Sequence, residues 1–161
     1  MIKVLFVCLG NICRSPMAEA FFRDLVKREG LEDQFIIDSG GMGSWHTGKP
    51  PHEGTRNILK ERNISYQGMK ARQVSLEDFD QFDYIVAMDD HNINDLKSLK
   101  DAPEGVEIMK LMEVVENSSE ENVPDPYYTG DFNQTAMLVD QGCKALLEKI
   151  KKEKQLVKSR M

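Results

Sequence analysis

Apolar positions along the chain alternate between two rhythms. Residues 2–8, Ile-Lys-Val-Leu-Phe-Val-Cys, form a near-continuous apolar run with β-branched members, the pattern of a strand buried on both faces. A glycine turn follows. Ser15 then suits an N-cap and Pro16 a first helical position, and Met17, Ala20, Phe21, Phe22 and Leu25 recur at helical spacing down to Gly30. The alternation repeats with a second strand at Phe35-Ile36-Ile37, a glycine-rich loop from Gly40 to Gly48, and a helix from about Pro51 to Arg62 with Ile58 and Leu59 facing inward.

A third strand, Tyr84-Ile85-Val86-Ala87, leads to Asp89 as N-cap of a helix reaching about Lys100. A weaker strand lies near Val106–Met112, followed by a polar, acidic surface loop from Glu113 to Pro124 and an Asp125-Pro126 turn. From Asp131 onward Phe132, Met137, Leu138, Ala145, Leu146 and Ile150 mark a long final helix, whose basic end, Lys149 to Lys154, complements the helix dipole. Strands alternating with helices predict an α/β fold: a single-domain open parallel sheet of about four strands, helices on both faces, and the first loop placed to bind an anion. The domain is expected over 1–157, with 158–161 as a frayed tail.

Composition narrows the function. With 21 Lys and Arg against 27 Asp and Glu, the net charge of −6 does not favour nucleic acid or an anionic membrane, so any anion site must be local. Three cysteines in 161 residues make no disulfide framework, and a reducing cytoplasm is the expected setting. Residues 4–7 are too short for a signal core and no run is long enough to span a membrane, although leaderless export is left open.

Cys8-Leu9-Gly10-Asn11-Ile12-Cys13-Arg14-Ser15 sits between the first strand and the first helix, where backbone N–H groups face the crevice at the sheet's carboxyl edge. Gly10 and Asn11 tolerate left-handed backbone angles, so the loop from Leu9 to Ser15 is able to curl its amides around one phosphate, and Arg14 offers a two-pronged fork for its oxygens. The same field lowers the pKa of Cys8 and makes its thiolate a nucleophile. The plainer alternative is a small buried cysteine ending a strand. Asp125 is the candidate proton donor, with Tyr127 and Tyr128 able to wall an aromatic pocket; an Asp-Pro turn without chemistry is its alternative. His46 and His52 lack a matched ligand set, so neither metal nor cofactor is expected.

These features closely resemble the low-molecular-weight protein tyrosine phosphatase family. Cys8 to Ser15 matches its signature, Asp125-Pro126-Tyr127-Tyr128 its acid loop, and Asp38-Ser39, Trp45, Gly48, Ala71-Arg72-Gln73 and Met88-Asp89 fall in order between about Ile2 and Ile150. The resemblance implies hydrolysis of phosphotyrosine proteins with Cys8 as nucleophile, Arg14 as phosphate clamp and Asp125 as acid then base. It also implies Asn11, Ser15 and Ser39 as loop support and Trp45, with Tyr127 and Tyr128, as pocket wall, though Trp45 would also serve as a core anchor.

Two departures stand out: Met69 where many members carry a histidine, so that part of the network behind the loop is absent or replaced, and His52 where an aspartate is common. Arsenate reduction would need two further cysteines in a mid-chain segment, and Phe82 to Asp90 has none; Cys143 lies at a core position of the last helix. Arginine phosphatases carry threonine at the position of Ile12. A phosphate-holding module without turnover would need no Asp125. Cys13, five positions from Cys8, either packs under the loop or protects Cys8 as a regulatory disulfide under oxidation.

Overall fold

The computed structural model describes residues 1–156, so the expected domain end at 157 and the tail at 158–161 lie outside the described residues. Four strands, β1 (Ile2–Cys8), β2 (Phe35–Gly41), β3 (Tyr84–Ala87) and β4 (Glu107–Lys110), form one parallel sheet in the order β2-β1-β3-β4. Among the described residues six α-helices accompany them: α1 (Arg14–Arg28), α2 (Glu53–Glu61), α3 (Asp78–Gln81), α4 (Asp90–Leu99), α5 (Pro126–Thr129) and α6 (Phe132–Lys154).

The continuous apolar run of β1 reflects burial on both faces. Val4, Phe6 and Cys8 join the core built with α1, α2 and α6, while Leu5 and Val7 pack with Phe79, Phe82 and Leu96 of the α3–α4 side. On the first face Phe22 stands edge-on between Phe6 and Phe35, with both ring centroids 5.6 Å away. The expected α/β sheet with helices on both faces is therefore the observed one.

Several boundaries differ from expectation for local reasons. β2 continues past Ile37 to Gly41 because it pairs with β1 along its full length, from Ile2 opposite Phe35 to Cys8 opposite Gly41. The first helix starts at Arg14, so Ser15 lies inside its first turn and is not the N-cap; Cys13 holds that position without a side-chain bond. Two prolines in succession keep the chain extended to His52, whose Nδ1 accepts the Gly54 N–H at 3.0 Å, and α2 begins only at Glu53. Asp89 caps α4 as expected, its Oδ1 accepting the Asn92 N–H at 2.8 Å. The fourth strand is shorter than the apolar run suggests, because Leu111–Val114 turn into a 3₁₀ segment that packs on α6.

Neighbours of β1 diverge: the chain leaves β1 for β2 on one side and returns from β2 to β3 on the other. That reversal opens a crevice at the carboxyl ends of β1 and β3, where open parallel sheets bind their ligands. Phe22→Ala should destabilise the fold by about 3–5 kcal/mol, since it removes a fully buried ring from between two others. Urea denaturation followed by fluorescence measures that loss, and a change under about 1 kcal/mol would show that this aromatic stack does not anchor α1 on the sheet.

Candidate active site

The loop leaving β1 is held from outside by its own carbonyls. Met42 N–H donates to Cys8 O and Gly43 N–H to Leu9 O, each at 2.9 Å, while His52 N–H donates to Ile12 O at 2.7 Å and Thr55 Oγ1 to Cys13 O at 3.0 Å. With four carbonyls turned outward, the loop's amides face its centre, the arrangement of an anion-binding nest. Asn11 takes the left-handed conformation at φ 56°, whereas Gly10 does not. Gly10 serves closeness instead: a Cβ there would meet His46 Cδ2 at 3.0 Å, crowding the cleft. Gly41 has the same use, since a Cβ would stand 3.0 Å from the backbone of Leu9, Gly10 and Asn11.

Cys8 Sγ lies in this curl, accepting the Asn11 N–H at 3.3 Å and contacting Ser15 Oγ at 3.0 Å. Asn11 is the hub of the supporting bonds. Its Nδ2 donates to Ser15 Oγ at 2.7 Å and to Ser39 Oγ at 3.0 Å, and its Oδ1 accepts the Arg72 N–H at 2.9 Å. Asn11, Ser15 and Ser39, the three residues expected to support the loop, are thus joined in one buried network. Arg72 was visible in sequence only as a family landmark; its guanidinium is tied to both Asp38 and Asp78, which fixes the amide that orients Asn11.

Arg14 is 1% exposed. Its Nη1 donates to Asp89 at 2.6 Å and to Val123 O at 2.9 Å, and its Nη2 to Asp125 at 3.3 Å. Nε has no partner among the described residues, an unusual state for a buried donor. With Nη1 committed on the far side and Nη2 holding Asp125, Nε is the donor left open, and the Nε–Nη2 edge offers an anion a two-pronged fork only where it takes the place of that carboxylate. Burial alone would weaken the charge, but Cys8, Asp89 and Asp125 outweigh it and hold the guanidinium above the usual arginine range. The role of Asp89 could not be read from its own segment, where it is a plain helix cap.

Asp125 N-caps α5, its Oδ1 accepting the Tyr127 N–H at 3.1 Å while Oδ2 faces Arg14. The expected turn is therefore a one-turn helix that aims a carboxylate at the loop. A cleft of about 300 Å³ opens over Cys8 between Ile12, Asp125 and an aromatic rim. Trp45 belongs to that rim and not to the core: it is 67% exposed, with Tyr127 at 54% and Tyr128 at 74%. His46 also lines the cleft, whereas His52 stands behind it, stacked on Phe132 at 5.1 Å and edge-on to Tyr127 at 6.1 Å, so it backs the aromatic rim without lining it.

Met69 packs against the main core and reaches no member of the network by a hydrogen bond; the network ends instead on Glu19, which accepts the Ser39 hydroxyl at 2.6 Å. All three cysteines are free thiols. Cys13 packs with Ile12 and Ala71, and burial, with the nearby Cys8 and Asp125 charges, pushes its thiol up to about 12 against a smaller opposing effect of Arg14. Cys143 is buried in α6.

A phosphate cradle at the end of a first parallel strand, backed by a buried arginine and faced by a carboxylate, defines a cysteine-dependent phosphatase type of site. The sequence profile of the low molecular weight phosphotyrosine protein phosphatases matches residues 3–156, and the chain belongs to that family. It is 56% identical to the low molecular weight protein-tyrosine-phosphatase YfkJ of Bacillus subtilis, over 97% of this chain and 100% of that protein. It is 46% identical to PtpA of Staphylococcus aureus, another low molecular weight protein-tyrosine-phosphatase, over 97% and 98% of the two chains. The crystal structure of YfkJ superposes with a TM-score of 0.94, covering 96% of this chain and 98% of that one.

Iodoacetamide at neutral pH should modify Cys8 well before Cys13 or Cys143, because Cys13 stays protonated and Cys143 is enclosed. Inorganic phosphate should protect. Peptide mass spectrometry reads the order, and faster labelling of Cys13 would contradict this assignment of the reactive thiol.

Proposed function

We propose that this chain is a protein tyrosine phosphatase that hydrolyses phosphotyrosine through a phosphocysteine intermediate on Cys8, and that Leu9 to Ser15 cradle the phosphoryl group. The observation that carries the reading is the convergence, in one cleft, of Cys8 Sγ, a buried Arg14 with an unpartnered Nε, and the Asp125 carboxylate. Each supplies what the reaction lacks in water: a nucleophile, a fixed positive counter-charge, and a proton for the leaving oxygen.

Without substrate, Asp125 lies against Arg14. A phosphoryl dianion competes for the same guanidinium edge, and the added negative charge beside Asp125 favours its protonated form. Cys8 Sγ then attacks phosphorus as the phosphorus–oxygen bond to the tyrosine breaks, and Asp125 gives its proton to the departing phenolate. In the second half Asp125 takes a proton from water, the water oxygen attacks phosphorus, the sulfur–phosphorus bond breaks, and phosphate leaves with the Cys8 thiolate restored. Arg14 spans the equatorial oxygens in both steps. The aromatic rim of Trp45, Tyr127 and Tyr128 suits a phenyl ring, and Ile12 at the cleft wall offers no hydroxyl to a phosphoguanidinium group. Phosphotyrosine-containing proteins are the proposed partners.

Cys8→Ser should abolish release of p-nitrophenol from p-nitrophenyl phosphate, and so should Arg14→Ala, while circular dichroism shows both variants folded. Wild-type-like turnover in Cys8→Ser would end the covalent mechanism. Hydrolysis of phosphotyrosine peptides should also exceed that of matched phosphoarginine peptides.

Asp125→Asn should slow turnover by roughly 10²–10⁴-fold for phenolic leaving groups of high pKa and progressively less for more acidic ones. A series of substituted aryl phosphates tests this, and a constant loss across the series would mean that the proton comes from another group.

A further inference from the structure

His52 stands where an aspartate is common in the family, and four parts of the chain meet on it. Its backbone N–H donates to Ile12 O of the phosphate loop at 2.7 Å, and its Nδ1 accepts the Gly54 N–H at 3.0 Å, capping α2. Its ring lies on Phe132, the first residue of α6, with centroids 5.1 Å apart and planes at 20°, and meets the Tyr127 ring of α5 at 6.1 Å and 78°. We propose that His52 is a positioning residue: its imidazole ring registers the short helix carrying Asp125 against the phosphate loop, so that the acid stands beside the departing oxygen. This rests on the reading of Asp125 as the proton donor.

An aspartate would do only part of this. Either side chain presents an acceptor to the free N–H groups that begin α2, so the cap by itself does not call for an imidazole. The ring adds what a carboxylate lacks. With Nδ1 accepting, the ring hydrogen belongs to Nε2, and the ring is fixed by the cap at one edge and by Phe132 against its face. Phe132 is itself seated: a Cβ on Gly54 would meet its ring at 2.5 Å, and it packs with Ile12, Cys13 and Ala71 beside the phosphate loop. A ring clamped from the phosphate-loop side thus gives Tyr127 a fixed, nearly perpendicular partner.

Tyr127 carries the constraint to Asp125. Its N–H donates to Asp125 Oδ1 at 3.1 Å, and the N–H groups of Tyr128 and Thr129 donate to Asp125 O, each at 3.1 Å. Oδ2 is then the oxygen turned to Arg14, at 3.3 Å. Once a phosphoryl dianion takes that guanidinium edge, the placement of the carboxyl falls to α5, and α5 leans on its rings. His46 also meets Tyr127, at 6.2 Å and 52°, so removing the His52 ring should loosen α5 without releasing it.

Two variants separate cap from ring. His52→Asn keeps the cap and loses the ring, whereas His52→Phe keeps a ring and loses the cap. His52→Asn should lower kcat/KM for aryl phosphates with basic leaving groups by roughly three- to tenfold, the worth of one ring contact, and leave those with acidic leaving groups nearly untouched. Inhibition by inorganic phosphate should not change, since Arg14 and the loop amides hold it. His52→Phe should recover the lost rate despite a lower melting temperature. In an Asp125→Asn background His52→Asn should cost nothing further. A loss equal across the leaving-group series, or one that persists without Asp125, would make His52 a structural cap alone and overturn the proposal.

A measurement without turnover completes the test. In His52→Asn, hydrogen exchange of the Tyr128, Thr129 and Gly130 amides, followed by NMR, should be faster than in the wild type, and His52→Phe should restore it. Unchanged exchange, or faster exchange that His52→Phe fails to restore, would show that α5 does not lean on the ring and would overturn the proposal. Should His52→Asn not fold, Tyr127→Leu removes the same contact from the other side and is read by the same exchange. Exchange needs no substrate, so this result stands apart from the phosphatase reading, which Cys8→Ser tests.

Discussion

Arg14 carries a permanent charge at a place from which water is almost excluded, and its compensating partners come from separate parts of the chain: Asp89 at the end of β3, Val123 and Asp125 in the segment before α5. Burying an unpaired guanidinium would cost several kcal/mol. The three contacts remove that cost only if the loops after β1 and β3 and the approach to α5 are drawn together. The sheet order makes this possible by setting β1 beside β3. The site is therefore less a pocket cut into a finished fold than the place where the fold neutralises one buried cation.

Because the neutralising set is acidic and the chain carries a net charge of −6, anion binding has to be a short-range matter. Two devices provide it. Carbonyls of the loop are bonded outward by Met42, Gly43, His52 and Thr55, which turns the amide side inward, and Nε of Arg14 has no partner among the described residues. The carboxylate resting on Nη2 is, in the proposed reaction, the same group that becomes the proton donor. On that proposal resting stability and catalytic readiness are served by one ion pair, which an incoming dianion would exchange.

Much of this was legible in the chain itself. The apolar run of β1, the period of α1 and α6 and the capping aspartate of α4 are local signals, and local signals survive without coordinates. So did Cys8, Arg14 and Asp125, because their residue types carry the chemistry and their neighbours match a known family. What escaped depends on partners far along the chain. Asp89 reads as a cap, yet its other oxygen meets Arg14, 75 positions away. Ser15 reads as a cap too, but the helix begins one residue earlier and the hydroxyl faces sulfur. Glu19 looks like one more surface charge on an amphipathic helix until β2 brings Ser39 against it. His46 lines the cleft and His52 backs Tyr127 only because the loop before α2 passes beside the aromatic rim.

Trp45 has a consequence of a different kind. It is the single tryptophan of the whole sequence, and it stands exposed on the rim of the cleft over Cys8. The protein's intrinsic indole emission therefore originates at the rim of this cleft, so a ligand seated there as proposed would couple occupancy to an optical signal the molecule already carries. Anions too inert to be hydrolysed would then be measurable by titration, without a dye, a label or a chemical reaction.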